Sequence, residues 1–328
     1  MLSWKLPRLL TINQVPRVFR EQGILFGYRP PKCSAADCIL SVFQLTNETV
    51  NIWTHFLPTW YFLWKLLALF YALDFWNDMY VWPFLAYMVT CCIYPLASSC
   101  AHTFSTMSTR ARHVCYFFDY GALSLYSLGK SLQAFFLHLN IYFLLTYHTI
   151  VTNRLGFPYL HYNNDILERF PEVERPKFSK ALRTLAFAYP YLYDSIPVFY
   201  RLHLHTGKSC TEEVIPIHYR HTVFAFLTCF IFATHLPERL APGRFDYIGH
   251  SHQLFHVCGI IGTHFQMEAI IMDMTERHDR LLVSLPALSF SQTAGSLMIC
   301  MVLSLSIIGV FSVTLYSMPK FSKREKNT

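Results

Sequence analysis

Charge is scarce in this 328-residue chain: Asp, Glu, Lys and Arg make up 14% of it and hydrophobic residues 53%. An ordinary soluble domain carries about 25% charged residues. Too little polar surface remains to coat a water-soluble globule of this length, which excludes a large soluble helical core. Apolar–polar alternation is also missing, and with it the signature of strands or of a membrane barrel. The first 32 residues lack the apolar stretch of a cleavable signal peptide. Ten cysteines are present without the spacing of a disulfide framework. No zinc-finger, recognition-helix or RNA-binding signature accompanies the net charge of +7, so the partners expected are membrane lipids and not nucleic acid.

What the chain does have is long apolar runs. Eight are candidates to cross a bilayer: Ile52–Leu73, Tyr80–Phe104, Val114–Gly129, Leu132–Val151, Ala181–Leu202, Tyr219–Leu236, His250–Met272 and Thr293–Tyr316. About 20 apolar residues suffice for one crossing, and continuous runs read as helices. The expectation is therefore an all-α membrane protein. The third and fourth runs are the weakest, being short and split only by Gly129 and Lys130. The third either extends past Lys130 or crosses a thinned bilayer. With all eight crossings and a cytosolic N-terminus, twenty basic residues fall inside and six outside, with Lys65 inside the first span. That bias places both termini in the cytosol.

Three parts follow: a basic cytosolic segment 1–47, a multi-pass helical domain 48–316 and a basic cytosolic tail 317–328. The first carries Trp4, Leu6, Leu9, Leu10, Val15, Val18 and Phe19 among Lys5, Arg8, Arg17 and Arg20. Two readings fit it, an amphipathic stretch on anionic lipid and a solvated tail. The sequon Asn47-Glu48-Thr49 lies at the cytosolic edge of the first span, where it stays unglycosylated.

Ionisable groups inside membrane spans are costly and mark functional sites. His252 and His256, at i and i+4, share one helix face, the spacing that two ligands of one metal need. His264 follows two turns further along a similar face. His102 ends the second span with Ser98 one turn before it, and Asp119 lies in the first turns of the third. The topology brings His102, Asp119, His252 and His256 to the cytosolic half of the membrane. Three neutral imidazoles and a water make an open zinc site. Asp119 is placed to accept from that water and Ser98 to donate nearby. The other reading open to these residues is a metal-free polar network that pins helices together. Glu48, Asn51 and His55 share a face of the first span and read as a structural network closing the same end. Asp194, between Pro190 and Pro197, is a further buried carboxylate, paired with Arg201 or lining a pocket.

Several of these pieces together carry a family resemblance. They are Asn47-Glu48-Thr49-Val50-Asn51-Ile52-Trp53-Thr54-His55, Ser98-x3-His102, Asp119-Tyr120-x-Ala122, His235-Leu-Pro-Glu-Arg239 and Pro242-Gly-Arg-Phe-Asp246 running to Ser251-His252-Gln253-x2-His256. From about Gln14 to Tyr316 the chain resembles the progestin and adipoQ receptor family, in its membrane progestin receptor branch. Lys130 to about Leu167 departs from the family's pattern. The resemblance implies a seven-helix zinc-binding bundle plus an eighth, C-terminal transmembrane helix. It implies zinc held by His102, His252 and His256, with Asp119 near the bound water. It also implies a plasma-membrane receptor for progesterone signalling in part through a heterotrimeric G protein. The alternative is a zinc-dependent lipid amide hydrolase, since alkaline ceramidases are similar in their Ser-x3-His, Asp and His-x3-His elements. Asp119 would then be the general base and Ser98 the oxyanion donor.

Overall fold

The computed structural model describes residues 7–138, 191–192, 195, 199, 214–284 and 295–317. Most of the fourth and fifth apolar runs, Asp194 and Arg201 lie outside these residues. Among the described residues the regular structure is helical, in seven α-helices: α1 (Ala35–Leu40), α2 (Thr49–Ala72), α3 (Trp82–Phe104), α4 (Thr109–His138), α5 (Val214–Thr234), α6 (Ser251–Ser284) and α7 (Ser296–Ser317). Four segments are both long and apolar enough to cross a membrane: α3, α5, α6 over Ser251–Glu276, and α7 over Leu297–Ser317. The chain is a multi-pass membrane protein. Helices α2 and α4 also have spanning length, at 24 and 30 residues.

One expected boundary moves. The third run stops at Gly129 on the sequence, whereas α4 continues through Gly129 and Lys130 to His138 and takes in the start of the fourth run. Gly129 is not a break but a crossing point. A Cβ there would lie 2.6 Å from Thr90 Oγ1 and 3.2 Å from the Tyr87 Cα, so only glycine lets α4 approach α3 this closely. Helix α4 also starts earlier, at Thr109, because Arg112 is shielded. Its guanidinium pairs with Glu21 at 2.7 Å and lies over the rings of Phe19 and Tyr116.

The core sits between α2, α3 and α6, where Phe62, Phe84, Tyr87, Met88, Cys91 and Met267 are fully enclosed. A polar rung crosses it. Thr263 Oγ1 lies 3.1 Å from both the Tyr94 and Tyr126 hydroxyls, and Tyr126 donates to Gln266 at 2.9 Å. Buried hydroxyls need such partners where no water reaches them. Helices α2 and α6 run parallel in constant register, with contacts from Thr54 to His256, Tyr61 to His264 and Lys65 to Glu268. Helix α5 runs antiparallel to α6: His218 pairs with Asp273 at one end and Phe232 packs on Phe255 at the other. Helix α7 packs on the outside of α4 through Phe311 on Phe117 and Tyr316 under Arg110.

Over residues 7–34 the N-terminal segment is not a solvated tail. It is a folded strap across one end of the bundle. Val15, Phe19, Ile24 and Tyr28 form their own small core with Leu10 and Ile12. Asp246 fastens it by accepting from the Leu25 and Phe26 amides at 3.0 and 2.9 Å. Since Tyr316 of α7 meets Arg110 at the same end, the strap and the C-terminus of α7 lie on one side.

The loop between α5 and α6 carries a carboxylate that seats α6. Glu238 accepts from the Ser251 amide at 2.7 Å and from the Ser251 hydroxyl, at the first turn of α6. An anion there meets unpaired amides and the positive end of the helix. Burial pushes the Glu238 carboxyl up, but the nearby His235 imidazole at 3.7 Å and the two bonds from Ser251 outweigh it and hold it at about 2, against an ordinary 4.5. A depressed folded-state value adds stability above the unfolded value, lost as pH falls toward the folded one. Glu238→Gln is expected to lose on the order of 3 kcal/mol at neutral pH. The gap to the native chain is expected to shrink to less than half by about pH 3. Thermal unfolding in detergent from pH 7 to 3 measures it, and a pH-independent gap would refute the assignment.

Candidate functional site

The site forms where four helix ends meet under the strap: the N-termini of α2 and α6, the C-terminus of α3 and the early turns of α4. His102, in the last turn of α3, is 2% exposed and His256, in the second turn of α6, equally so. His252 precedes His256 by one turn and its ring reaches His102, Nε2 to Nε2, at 3.1 Å. Ligand atoms of His102, His252 and His256 all lie within 4.8 Å of one another, close enough for one metal ion to touch all three. The three imidazoles singled out on the sequence thus converge.

Two of the rings are aimed by their other nitrogen. His102 Nδ1 lies 2.8 Å from Glu48 Oε2, and the same oxygen accepts from Asn51 Nδ2 at 2.8 Å. A buried carboxylate facing Nδ1 places the proton there and leaves Nε2 with its lone pair turned into the site. His256 Nδ1 faces the Asn51 carbonyl at 3.2 Å and the Thr54 hydroxyl at 3.3 Å, which again frees Nε2. His55 stacks on His256 with centroids 3.7 Å apart and planes 10° apart, fixing its tilt. Glu48, Asn51 and His55 do close this end of the bundle, as expected. The sequence reading missed that Glu48 and Asn51 also hold the rings of His102 and His256. The available signal was the Asn-Glu-Thr triplet at the start of α2, two turns below His55.

Asp119 is buried in the third turn of α4, deeper than an apolar run starting at Val114 implied. Ser98, one turn before His102, is buried as well, and Asp119 lies near enough to His102 for the two to interact electrostatically. Asp119 and Ser98 therefore border the triad on its membrane side. His264 is not part of this group: it lies two turns further along α6, bonded to Tyr61 at 2.8 Å. Asn47 of the sequon is 4% exposed, with its backbone N–H bonded to the Gly27 carbonyl, so burial closes it to modification. Nine cysteines among the described residues are free thiols.

A second anchor, also missed on the sequence, grips the end of α3. The buried guanidinium of Arg29 donates to the carbonyls of His102 and Thr103 and to the hydroxyls of Ser41 and Ser105. These carbonyls are among the last four of the helix, which have no intrahelical partner, and a cation there also meets the negative end of the helix dipole.

The family model described as Haemolysin-III related matches residues 43–267, from just before α2 through the triad and into the middle of α6. Membrane progestin receptor gamma-B of Danio rerio is 56% identical, over 99% of this chain and 97% of the relative. Membrane progestin receptor gamma of Homo sapiens is 52% identical over the whole of both chains. Membrane progestin receptor delta of Mus musculus is 53% identical over 97% and 94%. The chain belongs to the haemolysin-III-related family, in its membrane progestin receptor branch. The departure from Lys130 to Leu167 falls mostly outside the described residues.

Proposed function

We propose that this chain is a plasma-membrane receptor for a progestin-type steroid, with a zinc ion held near one membrane face by His102, His252 and His256. The observation that carries the receptor reading is identity of 52–56% along the full chain to proteins named membrane progestin receptor gamma. The zinc is supported by the donor set. Two nitrogens on one tetrahedral zinc at about 2.0–2.1 Å stand roughly 3.3–3.4 Å apart, close to the 3.1 Å between His102 and His252. A charged donor is absent from the triad itself, and Glu48 behind His102 supplies the negative charge that such a site needs. The bundle is proposed to make eight crossings, α7 being the last, with both termini cytosolic as the basic residues require. A heterotrimeric G protein is the proposed partner on the strap side.

Asp119 and Ser98 beside the triad favour a second reading, hydrolysis of a lipid amide of the ceramide type. When bound, zinc supplies a Lewis acid that polarises a carbonyl and acidifies a water. The residues would then divide the work: Asp119 takes the proton, Ser98 donates to the developing oxyanion, and α3, α4 and α6 exclude bulk water. One preparation separates the two. Purified full-length protein in lipid nanodiscs is expected to bind tritiated progesterone saturably and to leave ceramide intact. Ceramide turnover lost in Asp119→Asn, without saturable progesterone binding, would reverse the choice.

A further inference from the structure

A polar ladder stands far from the zinc site, on the outward-opening seam between α2 and α6. Its rungs are Tyr61 with His264 at 2.8 Å and, one turn further from the zinc end, Lys65 with Glu268 at 3.0 Å. The ion-paired side chains are 27% and 32% exposed. Leu57, Trp60 and Trp64 flank them at 58, 57 and 60% exposure, and the Lys65 ammonium lies 5.8 Å from the Trp64 ring. Tyr61 and Lys65 lie twelve and sixteen residues into α2, about 18 and 24 Å along it. The ladder therefore opens toward lipid, in the half of the membrane opposite the triad.

Ionisable groups at such depth usually face the bundle interior or water. Here the interior of α2 is taken by Phe62, Thr59 and His55, and the ladder faces out. Ion pairing neutralises Lys65 and Glu268 but does not use all their capacity. An ammonium has three donors and a carboxylate about four acceptor positions, and among the described residues one bond joins them. A lipid tail offers nothing to the remainder. An amphiphile carrying one small hydroxyl does.

Leu57, Tyr61 and Lys65 recur at four-residue intervals on one face of α2. An aliphatic residue, a tyrosine and a basic residue in this order form a pattern proposed for sterol contact, weak when read on sequence alone. The structure adds the rest. Leu57 to Lys65 spans about 12 Å of helix, enough to lie along a fused four-ring nucleus. Trp60 and Trp64 give flat faces for that nucleus, and the second rung gives its hydroxyl a donor and an acceptor together.

We propose that the α2–α6 seam binds a 3β-hydroxysterol of the bilayer, its hydroxyl on Lys65 and Glu268 and its rings along Tyr61, Trp60 and Leu57. The site is separate from the triad and does not depend on the progestin or zinc readings.

The test uses the full-length protein in phosphatidylcholine nanodiscs with dehydroergosterol as the energy acceptor for tryptophan. Wild type is expected to show transfer that saturates with sterol mole fraction. Lys65→Met with Tyr61→Phe is expected to weaken that component at least fivefold, with zinc content retained. Wild type alone provides an independent arm. Cholesterol should displace the probe, and its 3β-methyl ether should do so at least tenfold less well. Transfer that rises linearly without saturation overturns the proposal, as does equal competition by the ether. Displacement by progesterone at the concentration of its own binding would overturn the claim of a separate site.

Discussion

His102→Ala and His256→Ala are each expected to purify with less than a tenth of the zinc of wild type, measured as metal per chain after gentle detergent extraction. The reason is geometric. Both rings are buried and aimed, and a site of three imidazoles that loses one keeps two, too few for a tight tetrahedral zinc. Because metal binding is linked to folding, both variants should melt well below wild type and Ser98→Ala much closer to it. Glu48→Gln should fall between. It keeps a side chain against His102 Nδ1 but removes the charge, and loss of such an outer partner typically weakens metal binding by about 10–100-fold. Equal zinc content in all four proteins would remove the metal from this account. His256→Ala also loses the ring on which His55 stacks, so its melting temperature should fall further than that of His102→Ala.

Much of this site was legible in the sequence because its chemistry is written in helical spacing. His252 and His256 repeat at i, i+4 on a strongly apolar background, and Ser98 and His102 do the same on α3. Once the apolar runs set the direction of each helix, their ends had to meet. What stayed hidden depends on contacts distant in sequence or on residues whose local meaning is ambiguous. Gly129 next to Lys130 looks like punctuation between two helices, yet it is where α4 crosses Thr90 of α3. The basic and apolar mixture before α1 has the composition of an amphipathic stretch on lipid or of a solvated tail. Its actual role follows from Asp246, more than two hundred residues away, accepting two of its backbone amides. Glu48 read only as part of a network with Asn51 and His55, because nothing local says that His102 lies 2.8 Å from its carboxylate.

Arg29 is the residue through which the strap reaches the histidine triad, and its removal is expected to cost more than any other change in residues 7–34. Arg29→Met strips the end of α3 of a guanidinium that serves two backbone carbonyls and two hydroxyls in a setting only 3% exposed. Hydrogen bonds to a charged group contribute about 1.5–3 kcal/mol each, and buried acceptors left without a donor add their own desolvation cost. The four do not add, and removing a buried charge returns part of its solvation. A net loss of about 3 kcal/mol is therefore expected, or roughly 5–10 °C in melting temperature for a chain of this size. Arg29→Lys should recover less than half. An ammonium keeps the charge against the helix dipole but lacks the planar fork that serves the His102 and Thr103 carbonyls together. The loss should also reach the metal: with the carbonyl of His102 released, the last turn of α3 frays and the ring leaves Glu48. Arg29→Met is thus expected to retain clearly less zinc than Arg20→Met, whose guanidinium bonds among the described residues to the Val15 carbonyl of the strap itself. If the two variants melt together and hold equal zinc, the strap is a cover and not a clamp.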